Sequence, residues 1–454
     1  MAAIIVRDKT LFQCANCGAT FPRWFGRCPN CGSWNSIEEI PLLIKNKGRK
    51  NVHSETSTII SLSEISSSLN FRIPTKIAEI DRLLGGGFVP GSVTLLAGEP
   101  GIGKSTMVLE ILNALDSECV YVSGEESYEQ IKLRANRLGI NNSKIQIANE
   151  TKLETIIHLI ENHSANFFAI DSIQTIYSDE YSSASGSVFQ VREATSNIVD
   201  IAKKTNKIVI LIGHVNKEGN IAGPKTLEHI VDCVLSLEGE RNSNLRILRS
   251  LKNRFGSTFE LGLFEMGEAG LVELIEPTKV LISHSSVNSS GVAFSAFVEG
   301  ARCLITEIQS LVSNSSFNIP QRSVNGYDYK RVQMILAVLD KKIRLNFRSY
   351  DVYINITGGI FISDPAIDLA IAVALFSSLN DIVIPNQTAI LGEIGLTGEV
   401  RNINAIDKRV KELERLGFKK IILPKSSKNQ LPKKINSELI FVEKVGDAFK
   451  MLFG

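Results

Sequence analysis

The chain has 454 residues, with 50 Lys and Arg against 48 Asp and Glu, a formal charge of +2 and 44% hydrophobic residues. These values imply about two to four globular domains and exclude a disordered or low-complexity chain. The longest uninterrupted apolar run, Leu369 to Phe376, is far below the ~20 residues of a membrane-spanning helix. The N-terminus lacks the sustained apolar core and cleavage site of a secretory signal. No membrane partner is therefore expected, and a cytoplasmic location is. A charge this close to zero offers no argument for nucleic acid by itself.

Four of the seven cysteines, Cys14, Cys17, Cys28 and Cys31, follow C-x2-C-x10-C-x2-C in two near-identical knuckles, CANCG and CPNCG. Each C-x2-C turn puts two thiolates on one ion, and the next glycine lets backbone amides turn toward the sulfurs. Four soft donors suit tetrahedral Zn2+. Two disulfides are the alternative, disfavoured in a chain without an export signal. Residues 1–50 hold eight Lys/Arg and three Asp/Glu, although four thiolates on zinc return about two negative charges. Contact with DNA or a partner, or a structural cap, are both open for this ribbon.

Residues 45–70, rich in Ser, Lys, Asn and Thr, read as a linker. Beyond it, short apolar runs at 93–97, 119–123, 167–171 and 207–213 alternate with helically spaced stretches such as Thr106–Leu115 and Tyr128–Leu138. This alternation predicts parallel strands with crossover helices, an α/β sheet covered on both faces. Strands resume over 231–275 as an antiparallel extension with a turn near Gly256. The Ser-rich stretch at 283–290 marks a boundary before a second α/β region.

Gly98, Glu99, Pro100, Gly101, Ile102, Gly103, Lys104 and Ser105 fit G-x-x-x-x-G-K-[ST] between a strand and a helix, with Thr106 next in the helix. The glycines let backbone N–H groups wrap a phosphate at the positive end of the helix. Lys104 is expected to bridge β- and γ-oxygens of ATP, and the Ser105 hydroxyl to ligate Mg2+. Asp171 ends the apolar strand FFAID, where it serves either the Mg2+ shell or a turn. Glu125 and Glu126 follow the strand CVYVS. Carboxylates there either polarise an attacking water or form the first turn of a solvated helix.

The runs Ile80–Gly87, GSVTLLAGEPGIGKST and VSGEES resemble the RecA-type ATPase superfamily. With the ribbon before them and Lys252-Asn253-Arg254-Phe255-Gly256 after them, the whole chain resembles the bacterial RadA (Sms) DNA repair and recombination proteins. The resemblance implies Glu125 as the water-activating glutamate, with Glu126 as the fallback, and His214 as a γ-phosphate sensor. It also implies a hexameric ring with channel loops near 177–192 and 216–229, where Arg192, Lys217 and Lys225 are available for DNA phosphates. Lys252 and Arg254 alternate on a strand and project together. They are expected to reach a neighbour's γ-phosphate, with direct DNA contact as the other role.

Residues 285–454 resemble the proteolytic domain of Lon, notably at 358–375 and 391–412. Lon uses a serine nucleophile and a lysine. Here Pro365 is followed by Ala366, and the lysine position falls near Asp407, beside Lys408. A shifted Ser363/Lys408 dyad is the remaining route to proteolysis. The domain is otherwise read as a non-proteolytic assembly platform. Its stretch 322–348 holds seven Lys/Arg (Arg322, Lys330, Arg331, Lys341, Lys342, Arg344, Arg348) against Asp328 and Asp340. That excess suits either DNA or a solvated helix face.

The expected fold class is thus α/β: a zinc ribbon over 1–44, a linker over 45–70, a RecA-like P-loop ATPase core over 71–280 and a Lon-protease-like α/β domain over 285–454. The expected function is an ATP-dependent DNA motor of recombinational repair. It would act on single-stranded and branched DNA, promote branch migration and work with a recombinase. The alternatives are a DNA-binding scaffold with ATP as assembly switch, an ATP-dependent protease, and a phosphotransferase or signalling ATPase.

Overall fold

A computed structural model describes residues 11–14, 20–30, 32, 34, 36–40, 61, 72–181, 183–214, 224–239, 244–258, 260–274, 288–315, 319–431 and 434–454. Apart from Ser61, the linker expected at 45–70 lies outside them, as do Cys17, Cys31 and Lys217. The chain divides into two compact units. One runs to Glu238 and takes in Leu248–Thr258 and Gly267–Leu271; the other comprises Gly239–Ile247, Phe259–Met266 and Val272–Gly454.

The first unit begins with three short strands, β1 (Leu11–Cys14), β2 (Thr20–Phe21) and β3 (Ile37–Ile40), paired antiparallel in the order β2-β1-β3. After α1 (Ala78–Leu84) come β4 (Val93–Gly98), α2 (Lys104–Ala114), β5 (Cys119–Ser123), α3 (Tyr128–Arg137), β6 (Ile145–Asn149), α4 (Leu153–Asn162), β7 (Phe167–Asp171), α5 (Val188–Thr205), β8 (Ile208–His214), α6 (Pro224–Ile230), β9 (Cys233–Glu238) and β10 (Leu245–Asn253). The strand order is β10-β9-β4-β8-β7-β5-β6, and every pair from β9 to β6 is parallel.

Parallel strands need crossovers, and helices supply them, so both faces of the sheet are covered. This is why β4, β5 and β7 are buried at every residue and read as unbroken apolar runs. The period of two nevertheless divides each strand. Val120, Val122, Phe168, Ile170, Val209 and Leu211 pack on one face with Ile156, Ile160, Val191 and Ile198 of α4 and α5. The alternate residues include Tyr121, Ser123, Ala169, Asp171 and His214, and they face the other way. Register aligns Ser123 with Asp171 and Gly98 with His214, so the polar residues gather at the carboxyl ends of adjacent strands. Crevices at that edge are the usual ligand sites of open α/β sheets.

The strands that follow are β11 (Leu261–Gly267) and β12 (Gly270–Glu273). The second unit then builds a seven-stranded sheet from β13 (Val292–Glu299), β14 (Arg302–Asn314), β15 (Arg322–Asn325), β16 (Tyr350–Ile356), β17 (Thr388–Ile390), β20 (Lys420–Pro424) and β21 (Glu438–Val442), in the order β15-β16-β14-β13-β17-β20-β21. A separate ribbon pairs β18 (Glu393–Ile394) with β19 (Val400–Arg401). The helices are α7 (Tyr329–Val338), α8 (Asp368–Asn380), α9 (Ile406–Arg415) and α10 (Val445–Phe453). The run Leu369–Leu375 in α8 is wholly buried, so the longest apolar stretch of the chain is a core helix. Among the described residues no helix is long and apolar enough to cross a membrane.

Candidate nucleotide site

The loop between β4 and α2 closes around two glycines in the left-handed region, Gly101 (φ 79°) and Gly103 (φ 115°). Gly103 is the cap residue of α2, and its conformation is one that glycine adopts at no steric cost. Lys104 opens the helix but folds back. Its ammonium donates to the carbonyls of Gly98 and Glu99, both at 2.9 Å, and lies 3.1 Å from His214 Nδ1. Burial lowers its pKa to about 8, a fall that the nearby charges of Asp171 and Glu125 partly offset. Pro100, Gly101, Gly103, Lys104, Ser105, Thr106, Glu125, Glu126, Arg134, Arg137 and His214 line a cavity of about 410 Å³.

The two glutamates are not the first turn of a helix. Ser127 caps α3, with Gln130 completing a capping box, so Glu125 and Glu126 stand in the turn ahead of it. Gly124 makes that turn possible: a Cβ there would come within 2.0 Å of Thr175 Oγ1. The two carboxylates have different surroundings. Glu126 is gripped by both terminal nitrogens of Arg134, at 2.7 and 2.5 Å. Glu125 accepts a 2.6 Å bond from Ser172 Oγ, lies 3.5 Å from His214 Nε2 and keeps a 44% exposed side chain facing the cavity. His214 thus touches both Lys104 and Glu125. Asp171 is 7% exposed and accepts a bond from the Tyr121 hydroxyl.

The donor set suits a magnesium nucleotide. A phosphate-wrapping loop, a lysine, a hydroxyl at Ser105 and a buried carboxylate at Asp171 meet at one strand edge, with hard oxygen donors of the kind Mg2+ takes. Ser172, Tyr121, Arg134 and Arg137 had no motif to announce them; only their packing at this edge brings them in.

Lys252 and Arg254 are placed close to the same unit's framework. The Lys252 ammonium donates to the carbonyls of Glu228 and, at 2.8 Å, Val231, at the end of α6. Arg254 Nη1 lies 3.1 Å from Asp232 Oδ1, while the other carboxylate oxygen of Asp232 accepts from the Val93 amide at the start of β4. Asn253 Nδ2 donates to Leu83 O, and Arg72 joins Leu84 O to Phe255 O. The segment 252–256 therefore ties together α1, the end of α6 and the head of β4. Arg192 sits in the first turns of α5 with Glu193 at 3.4 Å, and Lys225 lies in α6.

In the ribbon, Cys14 and Cys28 are buried thiols, each 1% exposed. The second knuckle closes through a 2.9 Å bond from Gly32 N to Cys28 O, with Gly32 at φ 75°. A buried soft donor at the head of each knuckle fits a zinc site; Cys17 and Cys31 lie outside the described residues.

In the second unit, Ala366 is fully buried. Beside it, Asp364 Oδ2 accepts from Val298 N at 2.9 Å and Arg409 Nη2 at 2.6 Å, and Arg409, 2% exposed, also donates to the carbonyls of Ala296 and Asn404. Ser363 and Lys408 are both exposed. Of the seven cations at 322–348, Arg322 is committed to the carbonyls of Phe347 and Tyr350, and Arg331 to Asp368. Lys330, Lys341, Lys342, Arg344 and Arg348 are exposed. Lys341, Arg344 and Arg348 line a cavity of about 600 Å³ with Arg322 and Asp340.

Known proteins share each of these parts. A family model described as KaiC matches residues 73–155, one described as rubredoxin metal binding domain matches 12–39, and one described as Lon protease (S16) C-terminal proteolytic domain matches 327–454. The DNA repair protein RadA of Bacillus subtilis is 42% identical over 457 residues, covering 99% of this chain and 100% of the relative. RadA of Listeria monocytogenes is 42% identical over 450 residues, covering 98% of each. A solved structure of the RadB recombinase aligns at 23% identity and a TM-score of 0.37, covering 44% of this chain and 99% of that one. The fold has the expected composition of zinc ribbon, RecA-like ATPase core and Lon-like domain, and the chain belongs to the RadA family of DNA repair proteins.

Proposed function

We propose that the protein is an ATP-driven DNA motor of recombinational repair, working as a hexameric ring on single-stranded and branched DNA and promoting branch migration beside a recombinase. The observation that supports this most is the convergence of Lys104, Glu125 and His214 on one cavity, with the Asp171 charge acting on Lys104, in a chain related over its full length to RadA proteins. Gly98 to Thr106 hold the phosphates of ATP. Ser105 and Asp171 hold Mg2+, which when bound screens charge between phosphate oxygens. Glu125 orients and deprotonates the attacking water, since Arg134 already neutralises Glu126. His214 reads the γ-phosphate and passes its presence to Glu125 and Lys104 by contact.

Arg254, with 48% of its side chain exposed, is the better placed of the two cations to reach a neighbour's nucleotide. Lys252 acts by bracing α6, the helix that follows the 215–223 segment. Arg192, Lys217 and Lys225 meet DNA phosphates. Cys14, Cys17, Cys28 and Cys31 hold Zn2+ in the ribbon. The Lon-like unit serves assembly without proteolysis, because a buried alanine stands at the expected nucleophile position, and its exposed cations between 330 and 348 offer DNA a second surface.

The test is ATP hydrolysis with and without single-stranded DNA in wild type and in Lys104→Ala, Lys252→Ala and Arg254→Ala. DNA should stimulate the wild type, and Lys104→Ala should lose nucleotide binding. Arg254→Ala should bind nucleotide yet turn over at least about a hundredfold more slowly. Equal, DNA-independent rates in wild type and Lys252→Ala would refute the motor.

A further inference from the structure

We propose that Tyr121 is a positioning residue for Asp171: its hydroxyl holds one carboxylate oxygen so that the other addresses the metal shell of the nucleotide. The inference rests on the reading of Asp171 as a Mg2+-shell residue and adds the group that aims it.

Tyr121 is the middle residue of β5 and is fully buried. Register pairs it with Ala169 of β7. Partners in a parallel pair project to the same face, and the next residue on that face of β7 is Asp171. Ala169 is the only small side chain in the strand 167–171. A methyl group there leaves room for a phenol ring to lie along β7 toward its carboxyl end, and the hydroxyl meets Asp171 Oδ2. Leucine or phenylalanine at 169 would close that path.

A carboxylate at the end of an otherwise apolar strand needs a donor when it is buried, and an unpaired one is free to rotate toward Lys104 or to take a proton. Water is a poor substitute for this donor, because the ring that carries it is shut off from solvent. The hydroxyl therefore fixes the Asp171 torsion, which a merely space-filling ring would not do. Phenylalanine keeps the shape and removes only the bond, so positioning and packing are separable.

The experiment is calorimetric titration of ADP into the full-length protein with Mg2+ and with chelator, for wild type, Tyr121→Phe, Asp171→Asn and the double variant. In wild type Mg2+ should strengthen ADP binding. Tyr121→Phe should leave the Mg2+-free affinity within about twofold and cut the Mg2+-dependent gain by about tenfold. Asp171→Asn should abolish that gain, and the double variant should match Asp171→Asn because the phenol acts only through the carboxylate. An unchanged gain in Tyr121→Phe, with the gain lost in Asp171→Asn, would overturn the positioning role alone. An unchanged gain in Asp171→Asn would overturn the magnesium reading beneath it. If the single tyrosine variant does not fold, the double variant still decides through its Mg2+-free affinity, since it carries no unpaired carboxylate: an affinity equal to that of Asp171→Asn upholds action through the carboxylate, and a lower one shows that the ring acts by packing.

Discussion

Lys104 illustrates how a motif residue acquires properties the motif does not state. The loop and helix bury its ammonium, and burial lowers its pKa to about 8 despite two nearby carboxylates. In the nucleotide-free protein the lysine therefore loses its proton as pH rises through about 8, whereas bound phosphates favour the charged form. Nucleotide affinity should fall between pH 7 and 9. Titrations at pH 9 in buffers of different ionisation enthalpy should show net proton uptake, close to zero at pH 7. The identity of Lys104, Ser105 and Asp171 as candidates was legible in the sequence, because a strand, a glycine loop and a helix start are local features. The difference between Glu125 and Glu126 was not, because it depends on Arg134, eight residues further on, turning back from α3 to grip one and leave the other.

At the scale of elements, α2 carries a half-buried carboxyl that no motif marks. Glu110 accepts a bond from the Leu271 amide of β12, and burial raises its pKa to about 7. A folded-state pKa above the unfolded value means that the folded chain keeps a proton the unfolded chain releases. Its stabilising contribution is complete below pH 4.5 and is lost as pH rises through about 7. Glu110→Gln retains the acceptor without the charge. It should stabilise the protein by on the order of 2 kcal/mol at pH 8 and hardly at all at pH 4.5, measured by urea unfolding at the two pH values. The segment 252–256 teaches the same lesson. Alternation predicts Lys252 and Arg254 as a pair on one strand face, but β10 ends at Asn253, and their partners, the end of α6 and Asp232, are set by helix placement and not by strand period.

At the scale of the whole molecule, the Lon-like unit carries a charged pair packed into its interior. The buried Arg409 pairs with the largely buried Asp364 beside Ala366 and also donates to two backbone carbonyls. Removing one partner strands a charge in the interior. Arg409→Ala should therefore cost roughly 3–5 kcal/mol of stability in denaturant unfolding, while Ser363→Ala, at an exposed position, should leave both stability and ATP turnover unchanged.

By itself the sequence determined the α/β class, the phosphate loop and the knuckle spacing. Each of these is written in residue types at short separation, where backbone geometry translates spacing directly into structure. Tertiary structure alone decided which polar groups share a site. Tyr121 meets Asp171 across 50 residues, Lys104 meets His214 across 110, and Asp364 meets Arg409 across 45. Such pairings follow from strand order and register, which set long-range neighbours and leave no periodic mark along the chain.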